Sequence, residues 1–389
     1  MSNLRWFWFA LALTFTAALF WILNAIDVAW GSRRLPAIRD IAPLGDSDCP
    51  PVSILFAARD EEEKLPSALE TFLALDYLRY EVIAADDRSE DRTAEILKAA
   101  ARKDARLKYV RIDSLPPGWL GKPHAMQQAF ERSTGEWIVF TDADVHFSPD
   151  LLRRAVALAK RDRLDHLTLL SGAEMHTVGE KIALTFFGMG FLMGIRPWRA
   201  NDTRSKGYAG VGAFQLMRRS AYEAIGTHRR LRMEVVDDMK LGKLVKEGGF
   251  QSGVAKAWKE VRVRWHAGVG NIVRGTTKNF FASSGYNLGL VCFQLVMMLA
   301  ACVAPWVALP FLRGWALIFD AMAVAVLIAI HAGVCLEVGA SLLYGLTEPV
   351  GALIFSWMLA RSTIVTLWNG GIEWRGTSYP LEELKKGVA

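Results

Sequence analysis

The apolar run Trp137-Ile138-Val139-Phe140 leads directly into Thr141-Asp142-Ala143-Asp144, so a buried strand ends in two carboxylates at i and i+2. In an extended backbone alternate side chains project to one face, and two carboxylates so placed suit a single hard divalent cation or its hydration shell. Such an ion helps a diphosphate to leave as an anion. Short acidic turns after strands also occur as plain solvated loops, so the surrounding elements decide what this pair means.

Between about 50 and 265 short apolar runs alternate with helical stretches, the pattern of a mostly parallel sheet covered by helices. Val52–Ala58 reads as a first strand, Pro66–Leu75 as a helix, and Tyr80–Ala85 as a second strand running into Asp86-Asp87-Arg88-Ser89. Open α/β sheets bind ligands at the carboxyl ends of their strands, where Asp60, Asp86, Asp87, Asp142 and Asp144 gather. Asp86 and Asp87 also suit helix capping. Lys122 opens a helix after Leu120-Gly121, where a cation opposes the helix dipole, so the position admits either a phosphate or sugar contact or a solvated lysine.

With 389 residues, 52% of them hydrophobic, and a mean hydropathy of +0.19, the chain is too apolar for an ordinary soluble enzyme and too charged for an all-membrane bundle. Residues 6 to 30 form an apolar stretch longer than the core of a secretory signal, read as an uncleaved anchor. Arg33, Arg34 and Arg39 after it outweigh Arg5 before it, which favours a cytoplasmic location for the domain on their side and, with it, a bacterial inner membrane. Three further apolar blocks, 288–311, 315–337 and 348–368, are each long enough to span. Asp320, His331, Glu337 and Arg361 lie within them, as helix-pairing or acceptor-contacting groups. Cys49, Cys292, Cys302 and Cys335 show no spacing for zinc or a disulfide framework. The net charge of +6 comes without a nucleic-acid recognition motif and fits an anionic membrane surface.

Two shorter stretches read as interfacial. Leu184–Ile195 is apolar, too short to span, and bordered by Arg196, Trp198 and Arg199; a core helix is its alternative. Residues 271–281 read as a second interfacial helix, and Trp368–Tyr379 has an interfacial composition. The expected division is therefore an anchor and linker at 1–45, a catalytic domain at 46–265, an interfacial segment at 266–285, membrane helices at 286–370 and a tail at 371–389.

The segments SILFAARDEEEKLPSALETFLALDY, EVIAADDRSEDRT, GKPHAMQQAFERSTGEWIVFTDADV and EVVDDMKLGKLVKEGG together resemble the family 2 glycosyltransferases. The resemblance implies a GT-A fold, a nucleotide-sugar donor, most simply a UDP-sugar, and inversion at the anomeric carbon. Placed on this sequence it implies that Ala58 and Asp60 cradle the nucleobase and that Asp86 or Asp87 accepts from a uracil-type imide. Asp142 would contact ribose or sugar, and Asp144 would ligate Mg²⁺ or Mn²⁺ with Asp142 beside it. Asp238 would be the general base, oriented by Asp237, which stands where the family has Glu. Of the Q-x-x-R-W motif of processive members only Arg264 and Trp265 remain, for diphosphate and acceptor respectively, which implies transfer of one sugar rather than polymerisation. The overall layout is similar to membrane glycosyltransferases of the ceramide glucosyltransferase and hopanoid-associated kind, implying a lipid hydroxyl as acceptor. A polyprenyl-phosphate glycosyltransferase and a catalytically idle membrane scaffold are the alternatives. A nucleotidyltransferase would need a Gly-rich phosphate loop that Phe56–Lys64 lacks.

Overall fold

The computed structural model describes residues 2–387 and divides into two compact units. One is built from Leu35–Glu174, Pro197–Trp265 and the chain from Glu373 onward; the other from the chain up to Arg34, Met175–Arg196 and His266–Ile372.

The first unit is an α/β layer structure. Its strands are β1 (Val52–Ala58), β2 (Tyr80–Asp87), β3 (Leu107–Ile112), β4 (Trp137–Asp142), β5 (Val145–Phe147), β6 (His166–Ala173), β7 (Gln215–Arg218) and β8 (Ser252–Val263). They form one sheet in the order β3-β2-β1-β4-β7-β6-β8-β5. Parallel pairings dominate, with β7 entering antiparallel between β4 and β6 and β5 closing the far edge antiparallel to β8. The core alternates as a two-sided sheet requires. Ile54, Phe56, Val82, Ala84, Trp137 and Val139 pack on one face, while Leu55, Ile83, Ala85, Ile138 and Phe140 pack on the other. Burying each large apolar side chain stabilises the fold by about 1.5–3 kcal/mol. The pairing sets Ala58 opposite Asp86 and Ala57 opposite Asp142, so the acidic ends of β1, β2 and β4 share one edge.

The same unit also takes in the end of the chain. β9 (Gly371–Trp374) and β10 (Thr377–Pro380) form a two-stranded hairpin, followed by the helix Leu381–Lys386. Tyr379, Leu381 and Leu384 are buried. Of the stretch Trp368–Tyr379, whose composition suggests an interface, the part from Glu373 onward folds with the α/β unit.

The second unit is helical. Among the described residues five helices are long and apolar enough to cross a membrane: Arg5–Arg33, Val178–Arg199, Leu288–Phe311, Gly314–Glu337 and Leu342–Trp368. The helix from Leu288 carries a π-turn at Leu299–Val303 just before Pro305, whose missing amide breaks the regular ladder. Several polar groups inside the bundle pair across elements, while Asp320 Oδ2 is buried without a hydrogen-bond partner among the described residues. His331 Nε2 lies 2.9 Å from Thr185 Oγ1, Ser32 donates to Glu337 at 2.8 Å, Trp306 Nε1 donates to Glu348 at 2.9 Å, and Arg361 bonds Thr277.

Two expectations about short apolar stretches change. Residues 184–195 are the end of an 18-residue helix, Val178–Ile195, that begins at a capping box in which Thr177 accepts from Glu180 N and the Glu180 carboxylate accepts from Thr177 N. That cap starts the helix six residues before the apolar run, and the element groups with the helical unit rather than with the sheet. Residues 271–281 are not one interfacial helix. Thr276 and Thr277 turn their hydroxyls back onto the carbonyls of Ile272 and Val273, and the chain breaks between the helices Val269–Gly275 and Phe280–Ser283. Phe280 and Phe281 are buried, and Phe281 N donates to Ser362 Oγ at 2.9 Å.

Candidate active site at the carboxyl edge of the sheet

The loops after β1 and β2 are knitted together before any ligand is considered. Asp60 adopts a left-handed conformation (φ 54°), its amide donates to Ser89 Oγ at 3.1 Å, and its carboxylate accepts from Glu90 N at 2.8 Å. Glu61 N donates to Thr93 Oγ1 at 2.8 Å. Arg88 is also left-handed (φ 60°). Non-glycine residues in this region cost about 1 kcal/mol or more and persist where surrounding contacts hold them, often at functional sites.

Asp86 and Asp87 take different partners. Asp86 is fully buried and accepts from Ser89 N (3.1 Å), Tyr109 Oη (2.9 Å) and Arg111 Nη1 (2.6 Å). Asp87 receives a forked pair of bonds from Arg88 at 2.8 and 3.1 Å, with Arg59 3.9 Å away. Asp86 therefore serves as the turn's internal acceptor, while Asp87 sits in an arginine clamp beside the first turn of the helix Gly121–Glu131.

Asp142 and Asp144 close β4, and each is neutralised by a lysine. Lys122 Nζ lies 2.6 Å from Asp142 Oδ1, and Lys64 Nζ lies 2.7 Å from Asp144 Oδ2 while also donating to the Arg264 carbonyl at 3.4 Å. Ammonium groups thus stand beside both carboxylates, as a hard divalent ion would; Lys64, with its side chain 40% exposed, has room to swing away. The oxygen-donor set fits such an ion. Among the described residues no third carboxylate, imidazole or thiolate joins these two, so further ligands must come from the donor or water.

Lys122 is the hub. Its ammonium also lies 4.0 Å from Asp237 Oδ1. Burial alone would lower its pKa, but attraction to Asp142, Asp237 and Asp238 more than offsets that and holds it protonated. Lysine at a helix N-terminus is explained by these carboxylates rather than by solvent.

Asp237 and Asp238 open the helix Asp237–Glu247, where the dipole favours anions. Asp238 accepts from Gly212 N at 3.0 Å and from Met239 N at 2.8 Å. Burial and the neighbouring Asp237 push its carboxyl up to about 6, against the pull of Lys122. That value suits a group asked to take a proton near neutral pH.

Several residues that no sequence motif marks complete the site. Gly210-Val211-Gly212 passes so close that a Cβ on Gly212 would lie 2.8 Å from Asp142 Oδ2 and 3.3 Å from Asp238 Oδ2, and one on Gly210 would overlap the Asp238 carbonyl. The G-x-G spacing is the one signal that could have found them. Behind the acids, His228 shares a 2.5 Å hydrogen bond with Tyr222 and places Nε2 3.8 Å from Asp237 Oδ2. Gln215 receives His166 Nε2 at 2.9 Å and donates to the Asp238 carbonyl at 3.3 Å. Lys122, Phe140, Gly212, His228, Asp237 and Asp238 line one recess. Arg264 is exposed and Trp265 half-buried just beyond β8.

Comparison with known proteins bears on what this edge does. Residues 53–226 match the family model described as glycosyl transferase family 2. The chain is similar to the 4,4'-diaponeurosporenoate glycosyltransferase of Staphylococcus haemolyticus, 24% identical over 256 residues, covering 65% of this chain and 67% of that protein. It is 35% identical over 117 residues to the beta-monoglucosyldiacylglycerol synthase of Trichormus variabilis, covering 30% of this chain but only 25% of that protein. Among solved structures, the mannosyltransferase PcManGT from Pyrobaculum calidifontis, in complex with GDP-Man and Mn2+, aligns with a TM-score of 0.56 at 18% identity, covering 92% of this chain and 99% of that one. That likeness shows a shared fold, with the mostly parallel sheet of GT-A enzymes.

Proposed function

The chain carries a family 2 glycosyltransferase domain, and on that premise we propose that it transfers one sugar from a nucleotide-sugar donor to a hydroxyl of a membrane lipid, with inversion and with help from Mg²⁺ or Mn²⁺. The carrying observation is the convergence of Asp142, Lys122, Asp237 and Asp238 around Gly212, at the edge where β1, β2 and β4 end. The apolar helices in the same chain, and the diacylglycerol in the name of the Trichormus relative, support a lipid acceptor.

In this reading the nucleoside rests against Ala58, Asp60 and the Asp86-Asp87 turn. Asp142 and Lys122 contact ribose, sugar or phosphate, and Asp144 and Asp142 hold the divalent cation. When bound, the cation supplies charge neutralisation to the departing diphosphate. Arg264 reaches diphosphate oxygens and Trp265 packs on the acceptor. Asp238 takes the proton of the acceptor hydroxyl as its oxygen bonds to the anomeric carbon. The bond from that carbon to the donor phosphate oxygen breaks on the opposite face, and the nucleoside diphosphate leaves with the electron pair. Lys122 pulls the Asp238 carboxyl down against burial and Asp237, which favours the unprotonated form that the base needs.

UDP is the proposed nucleotide, as the resemblance implies with an Asp86-Asp87 acceptor for a uracil-type imide; the cytoplasmic face is the proposed side because Arg33, Arg34 and Arg39 flank the anchor. The test is mass-spectrometric profiling of products from purified protein given nucleotide-sugars, total membrane lipid and Mg²⁺ or Mn²⁺. A glycosylated lipid supports the proposal; hydrolysis alone, or transfer only to a soluble acceptor, overturns the lipid assignment.

A further inference from the structure

The end of the chain reaches the donor edge from a direction that no sequence motif marks. β9 and β10 are joined by the two residues Arg375 and Gly376, both at positive φ (51° and 72°), the signature of a type I′ hairpin turn. Such turns ordinarily use Asn or Asp before Gly. An arginine there holds a strained backbone, and the contacts of its side chain explain why.

The guanidinium of Arg375 spans the loop that follows β1. Nη1 donates to the carbonyl of Arg59 at 2.5 Å and to that of Asp60 at 3.3 Å, and Nη2 pairs with the Glu61 carboxylate. Arg59 returns a bond to Thr377 Oγ1 at 3.5 Å. On the far side of the hairpin the hydroxyl of Tyr379, itself only 6% exposed, accepts from Gly121 N at 3.3 Å, one residue before Lys122. Leu381 and Leu384 are buried as well, so the hairpin is seated rather than hanging over the edge.

Three left-handed residues, Asp60, Arg88 and Arg375, therefore lie in one bonded cluster: Asp60 is tied to the β2 loop by Ser89 and Glu90, and its carbonyl is tied to the hairpin tip by Arg375. Backbone carbonyls away from water need a partner, so removing the guanidinium leaves those of Arg59 and Asp60 to find another by moving the loop.

We infer that Arg375 is a positioning residue of the donor site, holding the Arg59–Glu61 loop in the one conformation that receives the nucleoside of the donor. The inference rests on the donor reading proposed for this edge. It makes the β9–β10 hairpin part of the substrate-binding machinery rather than a tail.

Purified full-length protein in lipid nanodiscs, titrated with UDP and separately with GDP, tests it. For the nucleotide that the parent binds, Arg375→Ala raises Kd at least tenfold, and donor KM rises in step while turnover at saturating donor falls less than threefold. Arg375→Lys, which keeps one charged donor but not the fork, recovers part of the loss. A purely structural role predicts a lower melting temperature with Kd unchanged in the folded fraction, and that result overturns the inference. If Arg375→Ala does not fold, Arg375→Lys decides: a three- to tenfold weaker Kd supports the inference, an unchanged Kd overturns it. A parent protein that binds neither nucleotide overturns the choice of donor, and a parent that binds while both variants bind equally well overturns only the role of Arg375.

Discussion

The amide of Gly212 donates to Asp238 Oδ2 at 3.0 Å, so the proposed base is oriented by a backbone group that has no side chain to keep it at a distance. The absent Cβ would sit 2.8 Å from Asp142 Oδ2. One glycine thus spaces the carboxylate at the end of β4 from the carboxylate that opens the Asp237–Glu247 helix. Gly212→Ala is expected to lower turnover by about 10²-fold or more, since small misplacements of reacting groups have effects of that size. Gly212 has no positive φ, so melting temperature should move little; a variant retaining half of parental turnover would show that this spacing is irrelevant.

Asp238→Asn should leave nucleotide-sugar affinity within about threefold and lower turnover by about 10²–10⁴. Calorimetry and a single-turnover assay separate the two effects. Normal transfer by the variant would move the base elsewhere.

With Asp238 pushed up to about 6, its basic form is lost as pH falls through that value. A base must be deprotonated to act, so kcat/KM should be flat above roughly pH 7 and fall about tenfold per unit well below pH 6. A profile still flat at pH 5 would contradict this assignment.

Asp144→Asn and excess chelator should act alike, both abolishing transfer and weakening donor binding, because each removes the diphosphate's counter-charge at the end of β4. Full activity in chelator would remove the metal from the mechanism.

His166 is fully buried, and burial lowers its pKa to about 4 from an ordinary 6.5. Its folded-state pKa lies below the unfolded one, so the stability of keeping it neutral is complete above pH 6.5 and is lost as pH falls towards 4. At about 1.4 kcal/mol per pH unit, the loss is on the order of 3 kcal/mol across that window. His166→Gln, compared with the parent by melting temperature between pH 7 and 4.5, should flatten the slope; identical slopes would mean that the ring is not kept neutral in the fold.

Much of the sheet edge is legible in the sequence because it depends on local pattern. β1, β2 and β4 announce themselves as apolar runs ending in acids, and the observed register brings those ends together. The enclosure of Lys122 is not legible. Its partners come from β4, 20 residues away, and from the Asp237–Glu247 helix, and nothing in the local sequence links them. Tyr222 and His228 are likewise recognisable only once Phe140 packs against both rings. The Val178–Ile195 helix looks shorter in the sequence than it is, because its start is written in Thr177 and Glu180, polar residues outside the apolar run.

The return of the chain from Glu373 to the α/β unit bears on truncation. Beyond that point Tyr379, Leu381 and Leu384 are buried in the unit, and Arg375 holds carbonyls of the loop after β1. A chain shortened before Glu373 would therefore lose part of its α/β fold, uncovering apolar surface and freeing a loop at the sheet edge, where trimming a loose end would cost nothing.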